Sequence, residues 1–333
     1  MAYKPNMEDI KKLRAMTGAG LADVKKALVE AEGDFDKAKD LLRERGLAIA
    51  AKRSDRETSN GCVLVKVEKD FAAIIALKCE TDFVANGADF IALTQSILDA
   101  AVAAKCKTVE EVNELTLADG QKVADAVTQR SGITGEKMEL DGYNYLEGEN
   151  IYSYNHQGKN LLCTLVQLNK DYEEQGHNLT LQVASMNPVA LDEESVPQSV
   201  KDNELQVAIQ KTKEEQVEKA VEAALKKAGI NPNLVDSEDH INSNIAKNWL
   251  TEEEAAKARE IKATVAAEKA ANLPEQMIQN IAKGRMAKFF KENCLVNQEY
   301  IRAENKENVA AYLKAADKDL KVVDFKRFTL RAD

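Results

Sequence analysis

Residues 62–86 read CVLVKVEKDFAAIIALKCETDFVAN. Two β-rich runs, 62–68 and 71–79, are separated only by Lys69-Asp70, a break short enough to predict an antiparallel hairpin. Directly after the second run stands Thr81-Asp82-Phe83-Val84-Ala85-Asn86, ahead of a helical pattern. A strand-to-helix corner exposes its residues. There the pairing of an acid with a bulky apolar side chain makes a probe: the phenyl group can fill a partner's pocket while the carboxylate competes for cationic or hydrogen-bonding groups. The alternative is that Asp82 caps the helix and Phe83 packs inward.

Outward from the hairpin, helical spacing is expected over 89–104 and 117–130. A second β-rich stretch follows at 137–146, 150–155 and 161–169, with another helix after it and a closing strand at 322–330. Strands and helices in separate runs, rather than strict alternation, predict an α+β core of antiparallel sheets with packed helices. The two β-then-α passes hint at an internal duplication.

At the N-terminal end, apolar residues recur in three helical phases: Met7, Ile10, Leu13; Leu21, Val24, Leu28; and Phe35, Ala38, Leu41, Leu42. Asn6, residues 18–20 and Gly33-Asp34 punctuate them, so three short helices are expected over 1–46. The basic, then polar stretch 47–60 reads as a linker. The expected core subdomains are 61–135 and 136–197. Residues 198–273, rich in Ala, Glu, Lys and Val, read as a long coiled-coil-like helical hairpin. Its seams would use Leu205, Ile209, Thr212, Val221, Leu225 and Ala228 against Ile261, Val265 and Ala266, and its tip, around 229–248, would pack only on itself. Pro274 starts a further helix, and 274–333 is expected to rejoin the core.

The 333 residues are 44% apolar and 31% charged with only 15 Gly and 5 Pro, the profile of a folded, helix-rich chain. A net charge of -10 argues against a nucleic-acid surface, since phosphate binders cluster Lys and Arg. No signal-peptide pattern opens the chain and no apolar run reaches the roughly 18 residues of a membrane span, so a cytoplasmic protein is expected. Cys62, Cys79, Cys106, Cys163 and Cys294 form no CxxC pair and are expected as reduced, mostly buried thiols. The sequence holds no phosphate-binding Walker loop, GxGxxG, HExxH or GxSxG, and His156, His177 and His240 stand at no ligand spacing. An enzyme's convergent set of catalytic groups is missing, and no cofactor or metal is expected.

Leu13-Arg14, Thr17-Gly18-Ala19-Gly20, Asp23, Lys25-Lys26-Ala27-Leu28, Glu30-Ala31, Gly33-Asp34 and Leu42-Arg43 closely resemble the opening signature of bacterial elongation factor Ts. The run Thr81 to Asn86 resembles that family's second signature. Further likenesses are Ser153-Tyr154-Asn155-His156 with Gly158, Val183-Ala184-Ser185 through Pro188, Gly284-Arg285-Met286 with Lys288-Phe289-Phe290, and Val323-Asp324-Phe325-Lys326-Arg327-Phe328. They occur in the family's order across essentially the whole chain. Two departures stand out: the segment between Pro188 and Pro274 is much longer than is usual for the family, and residues 157–162 replace its small, Gly-rich continuation.

The three-helix module is itself similar to the ubiquitin-associated type, and the resemblance to elongation factor Ts implies a guanine-nucleotide exchange factor for elongation factor Tu, without covalent chemistry; neither direct nucleic-acid binding nor a membrane is expected. By it, Thr81, Asp82, Phe83 and Val84 intrude beside the partner's magnesium site, Arg14, Leu21 and Ala22 are module contacts, and His156 is a core contact. Ala-rich seams permit a homodimer or heterotetramer without demanding one. Two other readings are a passive adaptor, since small helical modules often only tether, and an RNA-binding translation protein. Residues 1–60 hold thirteen Lys/Arg against eleven Asp/Glu, too even a mixture for a phosphate track.

Overall fold

The computed structural model describes residues 3–330. Residues 1–2 and 331–333, the outer ends of the first and last expected domains and the start of the signal-peptide reading, lie outside it. Three helices come first: α1 (Met7–Thr17), α2 (Leu21–Glu30) and α3 (Phe35–Ala51). Asn6 caps α1 by accepting from the Asp9 N–H at 2.7 Å, and Gly18 ends it at φ 67°, where a side chain would be strained. Ile10, Leu13, Val24, Ala27, Leu28 and Ala38 form the module's core. α3 does not stop at Gly46 but runs on through part of the expected linker to Ala51. The reason lies in packing. Gly46 faces Gly132 of a core helix, and a Cβ on Gly132 would fall 2.4 Å from the Gly46 Cα. This glycine permits a close helix crossing instead of breaking a helix.

The first sheet contains β1 (Asn60–Glu68), β2 (Phe71–Cys79) and β3 (Met138–Glu147), antiparallel with β2 in the middle. Between β2 and β3 lie α4 (Asp82–Ala85), α5 (Ala88–Ala104), α6 (Val109–Glu114) and α7 (Val123–Thr134). β3 was expected to open the subdomain 136–197, yet its backbone hydrogen bonds go to β2 and it completes the first sheet. Side-chain alternation explains why β2 is apolar almost throughout. Phe71, Ala73, Ile75, Leu77 and Cys79 join the helices' core, whereas Ala72, Ile74 and Ala76 face a second sheet.

That second sheet is β4 (Ile151–Asn155), β5 (Leu162–Leu168) and β6 (Val322–Thr329), again antiparallel with the middle strand second in sequence. α8 (Glu173–Met186) covers its outer face so closely that a Cβ on Gly176 would meet the Tyr152 ring at 2.1 Å. Val63, Ile74, Leu146, Ile151, Cys163 and Leu165 fill the space between the sheets. The layers are helices, sheet, sheet, helix. Each sheet is a hairpin followed by helical chain and a third strand that returns beside the hairpin's second strand. α13 (Val309–Ala316) precedes β6.

Pro188–Glu299 forms a second compact unit, with α9 (Gln198–Lys227), α10 (Glu238–Ala246), α11 (Glu252–Ala271) and α12 (Glu275–Asn293). α9 packs on both α11 and α12. The expected return to the core at 274 therefore comes later. α12 buries Ile278 and Ala282 and joins α9 through Arg285 and Glu215, 2.6 Å apart, so it belongs with the helical unit. The tip has its own core of Leu225, Ile230, Val235, Ile241, Leu250, Ala255 and Ala258. Along the α9 arm the expected Leu205 and Ile209 are only half-buried, while Ala208 and Thr212 are buried.

Candidate functional site

β2 is buried at every residue but Lys78, ending on the buried Cys79, and the chain then turns out of the sheet through Glu80. Thr81, not Asp82, caps the single turn α4: its Oγ1 accepts from the Val84 N–H at 3.3 Å. Asp82 and Phe83 are exposed, Phe83 by 87%, while Ala85 is buried and Val84 packs partly against the core. The phenyl group does not pack inward. Asn86 closes the turn from behind, its Nδ2 and its backbone N–H both donating to the Asp82 carbonyl at 2.8 and 2.9 Å.

Two carboxylates brace this corner. Glu136, between α7 and β3, accepts from the Glu80 N–H (3.2 Å), the Thr81 N–H (3.1 Å) and the Thr81 hydroxyl (2.6 Å). Glu80, its side chain 16% exposed, accepts from the Lys137 N–H at 2.6 Å and from Arg56 at 2.8 Å, with Arg53 at 3.6 Å. The Lys137 amide and then the two guanidinium groups hold the Glu80 carboxyl below the usual carboxylate range, against the opposing effect of burial. Sequence reading missed both braces. Glu80 abuts the motif, but Glu136 becomes visible only once β3 is known to pair with β2.

The other expected contacts stand on different elements. Arg14 on α1 and Leu21 and Ala22 on α2 are all exposed, Leu21 by 52%. They flank the turn made by Gly18 to Gly20. His156 follows β4 in a short 3-10 turn, half-buried, with its Nδ1 3.2 Å from the Tyr154 hydroxyl and its ring edge-on to that tyrosine. Gln157 and Gly158 both adopt positive φ there, 55° and 62°.

The cysteines supply no exposed thiol. All five cysteines are buried and unbridged, and burial pushes the thiols of Cys62, Cys79 and Cys163 up to about 11, 12 and 12. Among the described residues no group of three or more His, Cys, Asp or Glu side chains is placed to hold a metal, and no helix is long and apolar enough to cross a membrane. What the arrangement offers is a hydrogen-bonded corner that presents a carboxylate and a phenyl ring outward.

The family model described as Elongation factor TS matches residues 80–227 and 210–332. Elongation factor Ts of Bacteroides fragilis is 66% identical over 328 residues, spanning 98% of this chain and 99% of the relative. The protein of that name from Phocaeicola vulgatus is 64% identical over 327 residues, with the same coverage. In Porphyromonas gingivalis the figure is 42% over 328 residues, covering 98% of each chain. These alignments run through the long helical unit, so its size is shared with these relatives.

Proposed function

This chain belongs to the elongation factor Ts family and is a translation elongation factor, and from that membership we propose that it exchanges guanine nucleotide on elongation factor Tu in the cytoplasm. The factor binds the GDP-bound GTPase, presses the Thr81 to Val84 corner beside the partner's magnesium ion, and releases GDP so that GTP can enter. Arg14, Leu21 and Ala22 on the module and His156 on the core add further contacts. The factor forms and breaks no covalent bond and carries no cofactor of its own.

The observation that supports this most is Phe83. Its neighbours Val84 and Ala85 pack toward the core, yet the phenyl ring is 87% exposed on a turn braced from two sides. Magnesium is a sensible target because it neutralises phosphate charge, and losing its coordination weakens the grip on GDP. The thermodynamics require no more than differential binding. A factor that binds the empty GTPase more tightly than the GDP form lowers GDP affinity by the same ratio, since coupling between two ligands is reciprocal.

The test is release of a fluorescent GDP from elongation factor Tu, with magnesium present and the factor in catalytic amounts. Wild type should accelerate release, and Phe83→Ala should lower the rate more than it lowers binding, because the ring favours the nucleotide-released state. Binding without acceleration by wild type would leave a passive tether.

A further inference from the structure

We propose that Glu136 is a positioning residue for exchange: it sets the attitude of the Asp82-Phe83 corner through hydrogen bonds to Glu80 and Thr81. The proposal rests on the exchange reading above and deepens it.

The last backbone pair between β2 and β3 is Cys79 with Met138. Beyond it the two chains part, and the N–H groups of Glu80 and Thr81 need an acceptor that the ladder no longer supplies. One oxygen of Glu136 takes both, at 3.2 and 3.1 Å. The other accepts a hydrogen bond from the Thr81 hydroxyl, 2.6 Å between oxygens, which turns a lone pair of that hydroxyl toward the Val84 N–H. Thus the carboxylate orients the very group that caps α4. Phe83 lies inside the turn so fixed.

The brace is reciprocal, because Lys137, next to Glu136, gives its N–H to the Glu80 carboxylate at 2.6 Å. Two side chains continue the sheet where the main chain cannot. Glu136 is itself held: its N–H donates to the Thr134 hydroxyl at 3.2 Å and its carbonyl accepts from the Ser131 hydroxyl. Hydrogen bonds to an ionised acceptor are roughly twice as strong as neutral ones, which suits a device that must keep an exposed ring in one attitude.

If Glu136 positions and does not dock, its loss lowers the fraction of time the corner is competent while the other partner contacts persist. In the fluorescent-GDP assay, Glu136→Ala should lower the maximal catalysed rate about tenfold and change KM by less than about twofold. Glu136→Gln keeps an oxygen for the two N–H groups and can donate an amide hydrogen to the Thr81 hydroxyl, so it should recover to within about threefold of wild type. Thr81→Val, which removes only the relayed hydroxyl, should also lose rate rather than KM. Hydrogen exchange supplies a readout independent of the partner: in Glu136→Ala the Glu80 and Thr81 amides should exchange at least about tenfold faster while those of Ile75 and Leu77 stay protected. An unchanged rate in Glu136→Ala or Thr81→Val, a raised KM shared by the Ala and Gln variants, or unchanged protection at Glu80 and Thr81 would each overturn the proposal. A wild type that fails to accelerate GDP release overturns the exchange reading alone, and the amide exchange then decides the positioning claim.

Discussion

Phe83 holds its phenyl ring in solvent, forgoing about 1.5–3 kcal/mol that burial of such a side chain would contribute. Its removal should therefore cost the fold little. Phe83→Ala is expected to move stability by less than about 0.5 kcal/mol, seen as an unchanged urea midpoint, even as exchange falls. Phe71→Ala is the contrast. That ring is fully buried in the same hairpin, and its loss should cost about 3–5 kcal/mol. The acid-aromatic corner was legible because it sits in one short stretch, but which residue caps the turn was not, since Thr81 and Asp82 are both good caps. Glu136 was illegible for a different reason. Its partners lie 55 and 56 residues away, and no local pattern marks an acid that serves another segment's amides.

Most strands were readable from β-branched and apolar runs, and so was the β1–β2 hairpin, whereas the partner of β3 was not. β3 followed a helical segment and adjoined β4 in sequence, so proximity along the chain argued for the wrong sheet; pairing with β2 covers the edge that β1 leaves open. The boundary at residue 46 was misplaced for a similar reason, because the counterpart of Gly46 is Gly132 on α7, far away in sequence. Gly132→Leu is expected to wedge α3 from α7 and destabilise the chain by about 1–3 kcal/mol, with faster proteolysis between residues 52 and 59 as the sign that the module has loosened. A second junction is ionic. Asp317, after α13, accepts from Lys170 Nζ at 2.7 Å, the Tyr172 hydroxyl at 3.0 Å and the Asp319 N–H at 2.8 Å. Lys170 first, then the Asp319 amide, lowers its carboxyl from 3.8 to about 2. Because the folded value is the depressed one, the stabilisation is fully present above about pH 4 and is lost as the pH falls toward about 2. Asp317→Asn should accordingly lower Tm at pH 7, with the gap to wild type narrowing across that acid window.

At the scale of the whole molecule, the α+β class followed from composition and from the separate runs of strands and helices, but the extent of the helical unit did not. Pro274 looked like a re-entry point, and it is instead the N-terminal flank of α12, which packs along α9. The corner, its carboxylate brace and the three-helix module all belong to the first unit, and the tip of the second has a core of its own. Replacing residues 229–248 with a short Gly-Ser turn should therefore leave GDP release within about twofold of wild type, as expected for independent sites; a collapse of the rate would assign the tip to exchange. The buried thiols carry a last consequence, for spectroscopy. With values near 11 to 12 for Cys62, Cys79 and Cys163, only about one thiol in ten thousand or fewer is ionised at neutral pH, and Cys106 and Cys294 are buried as well. The native chain should be silent toward a maleimide dye. A single Asn242→Cys on the exposed side of α10 would then be the one labelled position, and the surroundings of the tip could be followed in solution without removing any natural cysteine.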